Sequence, residues 1–208
     1  MNPLPDPQPS ASNLQPSSPA ASSARQRLLS LICEAAYQEG EFTLSSGQRS
    51  RYYINGKQAT LHPQGGLLVG QVLLPMIPQA AVAVAGLTLG ADPIVTAVSV
   101  VAATQGRSLA ALIVRKEAKG HGTQAYIEGP TLPEGSPVVV LEDVVTTGQS
   151  ALKAVTRLRE AGYRVEQVIS LVDRLQGGAE LYREHDLAFQ AVFSIEEIQA
   201  EWRRTRSA

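Results

Sequence analysis

Two adjacent acids, Glu142 and Asp143, close the apolar run Val138-Val139-Val140-Leu141 and lead into Val144-Val145-Thr146-Thr147-Gly148-Gln149-Ser150. A short apolar run bounded in this way predicts a buried strand, and the spacing from Gln149 to Ala161 predicts a helix. The strand delivers two carboxylates to its carboxyl edge. The turn after it aims backbone N–H groups, the positive end of the helix and the hydroxyls of Thr146, Thr147 and Ser150 at one point. Such a cradle suits a phosphate monoester. The carboxylates can accept hydrogen bonds from a vicinal diol. Phosphate and diol together describe a 5-phosphoribosyl group. The Gly-Lys-Ser/Thr of a Walker loop is missing, and a dinucleotide fingerprint needs more glycines.

Arg115-Lys116-Glu117-Ala118-Lys119-Gly120-His121-Gly122-Thr123 places three permanent cations and a histidine within seven positions of an aperiodic, polar stretch. A solvated charged loop is the plain reading. In a displacement at ribose C1, the same cations would neutralise a departing pyrophosphate, and the loop would exclude water from the ribosyl cation. Val172-Asp173-Arg174, followed by Gly177-Gly178, ends another strand in a guanidinium, whose fork reads a carboxylate by two parallel hydrogen bonds. A surface ion pair between Arg174 and Asp173 is the alternative.

The elements that must position these groups are legible around them. Leu28, Leu29, Leu31, Ile32, Ala35 and Ala36 recur at helical spacing, predicting a helix over 25–39 that Gly40 closes. Phe42 to Ile54 reads as two extended pieces about the turn Ser45-Ser46-Gly47-Gln48. Helices are predicted over 65–74, from Asp92-Pro93 to about Gln105, over Gly178–Glu184 and over Ile195–Trp202. Strands are predicted over Ala81–Ala85, Leu109–Val114, Tyr163–Val172 and Ala188–Phe193. Short apolar strands alternating with helices indicate an α/β chain with a mostly parallel, doubly wound sheet, whose ligands bind beyond the strands' carboxyl ends.

Composition bounds the rest. The 208 residues carry 18 basic and 19 acidic side chains, a net charge of −1, which argues against a generally basic nucleic-acid-binding surface. No apolar run reaches the roughly 18 residues of a membrane span. Cys33 is the only cysteine, so no intrachain disulfide is available, and no Cys/His cluster suggests a metal site. A cytoplasmic enzyme is expected. Residues 1–24, half of them Pro or Ser, read as a disordered tail and 25–208 as the domain. His62, His185 and Cys33 read as structural.

The thirteen residues Val138–Ser150 resemble the phosphoribosyl-diphosphate (PRPP) signature of the type I phosphoribosyltransferases. Arg-Lys-x-x-Lys-x-His-Gly at 115–122 resembles the flexible catalytic loop of the orotate phosphoribosyltransferases, and Phe42–Tyr53 resembles their amino-terminal hood. The resemblance implies that fold, with a small hood and a flexible loop, and the substrates orotate and PRPP. It implies Mg²⁺ bound mainly through PRPP, with no protein metal cage. It also implies a homodimer in which loop 115–123 acts in trans, without nucleic acid or membrane as partner. By the same resemblance Arg115, Lys116, Lys119, His121, Glu142, Asp143 and Val144 to Ser150 would bind PRPP. Lys119, His121 and Asp143 would be catalytic, and Thr146 and Arg174 would meet orotate. Some relatives carry a base-side lysine at two positions that are Ser45 and Gly90 here; Lys57 is a candidate to supply the charge. A purine or uracil transferase and a nucleic-acid-binding regulator of the same fold are the rival readings.

Overall fold

The computed structural model describes residues 19–43, 47, 49–119 and 126–206. The expected tail up to residue 18, Ser45, and residues 120–125 with His121 lie outside the described residues.

Strand alternation sets the architecture. A six-stranded sheet runs in the order β5-β4-β3-β6-β7-β8, built from β3 (Ala83–Leu87), β4 (Ala110–Val114), β5 (Ile127–Glu128), β6 (Val138–Val145), β7 (Gln167–Asp173) and β8 (Ala188–Ser194). All pairings are parallel except the one between β4 and the short edge strand β5. On β6, Val138 and Val140 enter one core while Val139 and Leu141 enter the other; on β3, Ala83 and Ala85 oppose Val84 in the same way. A strand covered on both faces must be apolar at every position, which is why Val138–Leu141 shows no alternation.

Helices α1 (Pro19–Leu31), α3 (Pro63–Leu73), α4 (Asp92–Thr104) and α7 (Ile195–Arg206) supply the apolar side chains of one core. Helices α5 (Gln149–Glu160) and α6 (Gly178–Glu184) supply the other. Leu141, Ile169 and Leu171 are wholly buried, each worth about 1.5–3 kcal/mol of transfer free energy. Outside this sandwich, β1 (Tyr37–Thr43) and β2 (Arg49–Ile54) form an antiparallel hairpin, and the short helix α2 (Gly56–Thr60) returns the chain to the sheet.

Several predicted boundaries move. The first helix begins at Pro19, within the stretch read as tail, and ends at Leu31. A π-helical turn, Ile32–Ala36, follows, and residues 37–39 are strand rather than helix. There, Tyr37, Gln38 and Glu39 pair with Ile54, Tyr53 and Tyr52, a tertiary pairing that local periodicity does not carry. The strand predicted from Tyr163 begins at Gln167, with only a single bridge, Pro137 to Arg164, before it. The strand predicted at Ala81 begins two residues later and runs on to Leu87.

Gly86 marks the tightest approach of β3 to its neighbours. A Cβ there would strike the Ala91 methyl and lie 2.5 Å from the carbonyl oxygen of Leu141. Backbone cannot yield as a side-chain tip can. Gly86→Ala is therefore expected to lower stability by about 1–3 kcal/mol in urea unfolding. An unchanged midpoint would show that the β3–β6 spacing is softer than its hydrogen bonds imply.

Candidate active site

The five parallel strands follow a 2-1-3-4-5 order, with the topological switch between β3 and β6. A crevice opens at such a switch, beyond the carboxyl ends of the strands. Both acids of the sequence motif stand there. Glu142 and Asp143 are buried, and as neighbours on a strand they face opposite sides.

Asp143 faces two glycines. A Cβ at Gly90 would lie 2.6 Å from its Oδ1, and one at Gly56 would lie 3.1 Å from its Oδ2. Oδ1 accepts a hydrogen bond from the Val144 N–H at 2.9 Å. A side chain at Gly90 would therefore have to displace this carboxylate. Lys57 follows Gly56 on α2, so its chain segment adjoins the same carboxylate.

Glu142 faces the loop Val144–Ser150 and Tyr182 of α6, which together line a cavity of about 90 Å³, roughly the volume of three waters. Its Oε2 has no hydrogen-bond partner among the described residues. Burial first, and then the charge of Asp143, pushes the Glu142 carboxyl well above the ordinary value of 4.5. The Tyr182 hydroxyl is likewise buried and unpartnered, and burial, Glu142 and Asp173 raise its pKa. Gly148 takes a left-handed conformation, φ 82°, and no side chain caps α5. The N–H groups of that helix's first turn are thus left to whatever enters the cavity, and the dipole favours an anion.

The cationic loop is fixed at its base. The Arg157 guanidinium of α5 donates to the carbonyls of Arg115 and, at 2.8 Å, Lys116, and stacks 3.9 Å above the Tyr126 ring. The Arg115 N–H donates to the Tyr126 carbonyl at 2.7 Å. Arg115 and Lys119 both pair with Glu128, at 3.0 and 3.7 Å. Lys116 is the loop cation whose charge reaches Glu142, lowering its pKa against the larger effect of burial. Sequence reasoning did not single out Arg157; its partners are backbone atoms more than forty residues away, which no local pattern encodes.

Arg174 leaves the end of β7 with its N–H on the Val145 carbonyl. Its Nε donates to the Tyr52 hydroxyl at 3.1 Å. Asp173 instead accepts from the Leu175 N–H at 2.8 Å, and no Asp173–Arg174 ion pair occurs among the described residues. Arg174 thus stands between the loop Val144–Ser150, which includes Thr146, and the β1–β2 hairpin. His62 caps α3 by accepting from the Gln64 N–H, and the buried Cys33 thiol donates to the Ile198 carbonyl; both are structural.

A parallel sheet in this order, an acid pair at its switch point and an uncapped hydroxyl-rich loop behind it define a type I phosphoribosyltransferase. No protein-family profile matches the chain. It is 66% identical over 188 residues to the orotate phosphoribosyltransferase of Nostoc sp., covering 90% of this chain and 91% of that protein. The Synechocystis sp. orotate phosphoribosyltransferase is 62% identical over 180 residues, covering 86% and 91%. Among solved structures, the Mycobacterium tuberculosis orotate phosphoribosyltransferase in complex with PRPP superposes with a TM-score of 0.71 at 33% identity, covering 85% of this chain and 99% of that one. The chain belongs to the orotate phosphoribosyltransferase family, pentosyltransferases of pyrimidine biosynthesis.

Proposed function

We propose that this chain joins orotate to PRPP, forming orotidine 5′-phosphate and pyrophosphate for UMP synthesis, with the following division of labour. Residues 144–150 receive the 5-phosphate on main-chain N–H groups and the hydroxyls of Thr146, Thr147 and Ser150. Glu142 and Asp143 accept hydrogen bonds from the ribose hydroxyls. Arg174 and Thr146 hold orotate, the guanidinium fork against its carboxylate. Arg115, Lys116, Lys119 and His121 meet the pyrophosphate, with Lys119 and His121 acting on it as it leaves. The observation that carries this reading is the uncapped, Gly148-initiated helix beside the two buried acids.

Orotate N1, its proton passed to solvent water, forms the new bond at C1 as the C1–O bond to pyrophosphate breaks, with inversion and with the electron pair leaving on pyrophosphate. Charge delocalised over the orotate anion makes a strong dedicated base unnecessary. Positioning and charge stabilisation then supply the rate. Among the described residues no cluster of three metal-ligating side chains occurs, and the donors present are carboxylate oxygens, one of them unpartnered. That set fits Mg²⁺ carried in on the oxygens of PRPP, with Glu142 and Asp143 as its protein neighbours. When bound, the ion shields the charge of the pyrophosphate.

The chain is proposed to work as a homodimer with loop 115–123 reaching the partner's site. Support comes from an apolar groove of about 720 Å³ beside the active site, where Leu61, Leu67, Leu89 and Val100 are exposed next to Lys57 and Asp92. Exposed apolar faces of this kind mark association surfaces. Among the described residues no helix is long and apolar enough to cross a membrane. The enzyme is proposed to be cytoplasmic, which suits a lone buried thiol.

The test is a base panel of orotate, uracil, hypoxanthine and adenine with PRPP and Mg²⁺, followed by pyrophosphate release. Orotate alone should turn over. Arg174→Ala should cost about 10²-fold in kcat/KM for orotate, the loss of a bidentate charged pair. Turnover of a purine in place of orotate would overturn the base assignment.

A further inference from the structure

Arg174 is the end of a column. The Arg174 guanidinium carbon lies 4.9 Å from the Tyr52 ring centroid, besides its Nε bond to that ring's hydroxyl. Tyr52 stacks on Tyr37 with centroids 5.9 Å and planes 27° apart. Tyr37 in turn meets Trp202 edge-on at 5.8 Å. The side chain that follows β7 and those from β2, β1 and α7 thus form one continuous column that runs from helix α7 to the Arg174 guanidinium.

The foot of the stack is anchored. Tyr37 is almost wholly buried, and desolvation pushes its phenol up to about 12, so it stays neutral. Strand alternation turns Tyr52 inward to this stack and Tyr53 outward, where it is 42% exposed and packs on Phe42. The two tyrosines of the hood therefore have separate tasks.

A guanidinium has five N–H donors in a rigid plane, and a bidentate carboxylate takes two of them. With Nε–H held by Tyr52 and the ring supporting the plane, rotation about the Arg174 side chain is restricted. Neither Nη atom has a hydrogen-bond partner among the described residues. The fork remains open and oriented. We propose that Tyr52 is a positioning residue that presets the Arg174 fork for a base bearing a carboxylate, and is thereby a determinant of base specificity. The proposal rests on the reading of Arg174 as the orotate contact.

The experiment is steady-state kinetics on the full chain for Tyr52→Phe, Arg174→Ala and the double variant, with orotate, uracil and PRPP varied in turn. Tyr52→Phe keeps the ring and the stack and removes only the hydroxyl. It should raise KM for orotate about tenfold, the scale of one hydrogen bond to a charged group, while KM for PRPP and the melting temperature stay as in the parent. Discrimination of orotate over uracil should narrow by the same factor. The double variant should be no worse than Arg174→Ala, since Tyr52 acts only through the guanidinium. Unchanged orotate KM in Tyr52→Phe, or a penalty that adds in full to that of Arg174→Ala, overturns the role of Tyr52 and leaves Arg174 in place. An unchanged orotate KM in Arg174→Ala removes the Arg174 reading and this proposal with it.

Discussion

Lys119→Ala should lower kcat about 10²–10³-fold, the usual cost of removing one group that stabilises developing charge. Lys119 is 71% exposed and, among the described residues, pairs only with Glu128 at 3.7 Å, an exposed pair worth at most about 1 kcal/mol. Leaving Glu128 for a pyrophosphate would therefore cost little, whereas without this lysine the leaving group would lose one of the cations proposed to stabilise it. The same variant tests whose site the loop serves. Mixed with Asp143→Asn, which should be inactive on its own, it should regain up to roughly a quarter of the parental activity. That arises because only a mixed dimer pairs an intact loop with an intact carboxylate from the other chain. No recovery would place the loop in its own subunit's site. Turnover within a few-fold of the parent in Lys119→Ala alone would end the assignment of that lysine.

Glu142→Gln should separate stability from function. The raised pKa of Glu142 means that the folded chain holds this proton more tightly than the unfolded chain does. The stability that comes with the protonated form is fully present below the ordinary value of 4.5 and is lost as pH rises through the raised folded value. A glutamine cannot ionise and keeps the shape. Glu142→Gln should therefore melt about 2–5 °C higher than the parent at pH 8, with the gap closing as pH falls toward 4.5. Catalysis should move the other way, by about 10²-fold, because a charged acceptor for a ribose hydroxyl is gone. Differential scanning fluorimetry across that pH range checks the first part and pyrophosphate release the second. Equal melting at pH 8 would mean that the carboxylate is better solvated than its burial indicates.

What could be read from the sequence follows from how locally each feature is encoded. The stretch 138–150 was legible because a strand buried on both faces is apolar throughout and a phosphate turn needs particular residue types. Arg174 was legible as a strand-end cation, yet its partner Tyr52 lies 122 positions away. Tyr37–Glu39 read as helix because the polar residues 38–41 carry no strand alternation, and only pairing with β2 makes them extended. Helix α2 and strand β5 are too short for any period to emerge.

The loop at Gly148 has an evolutionary consequence. As the proposed seat of the donor sugar's phosphate, it would grip largely through peptide N–H groups, which every residue except proline supplies. On the proposed reading the nucleobase end is met by a single guanidinium, Arg174 just past β7, which Tyr52 of the hairpin orients. Mutation therefore reaches the two ends of the substrate unequally. Acceptor preference can drift through a handful of exchanges on the hairpin and strand tips while the donor stays the same, so new nucleobase specificities are accessible to this scaffold without rebuilding its hold on the sugar.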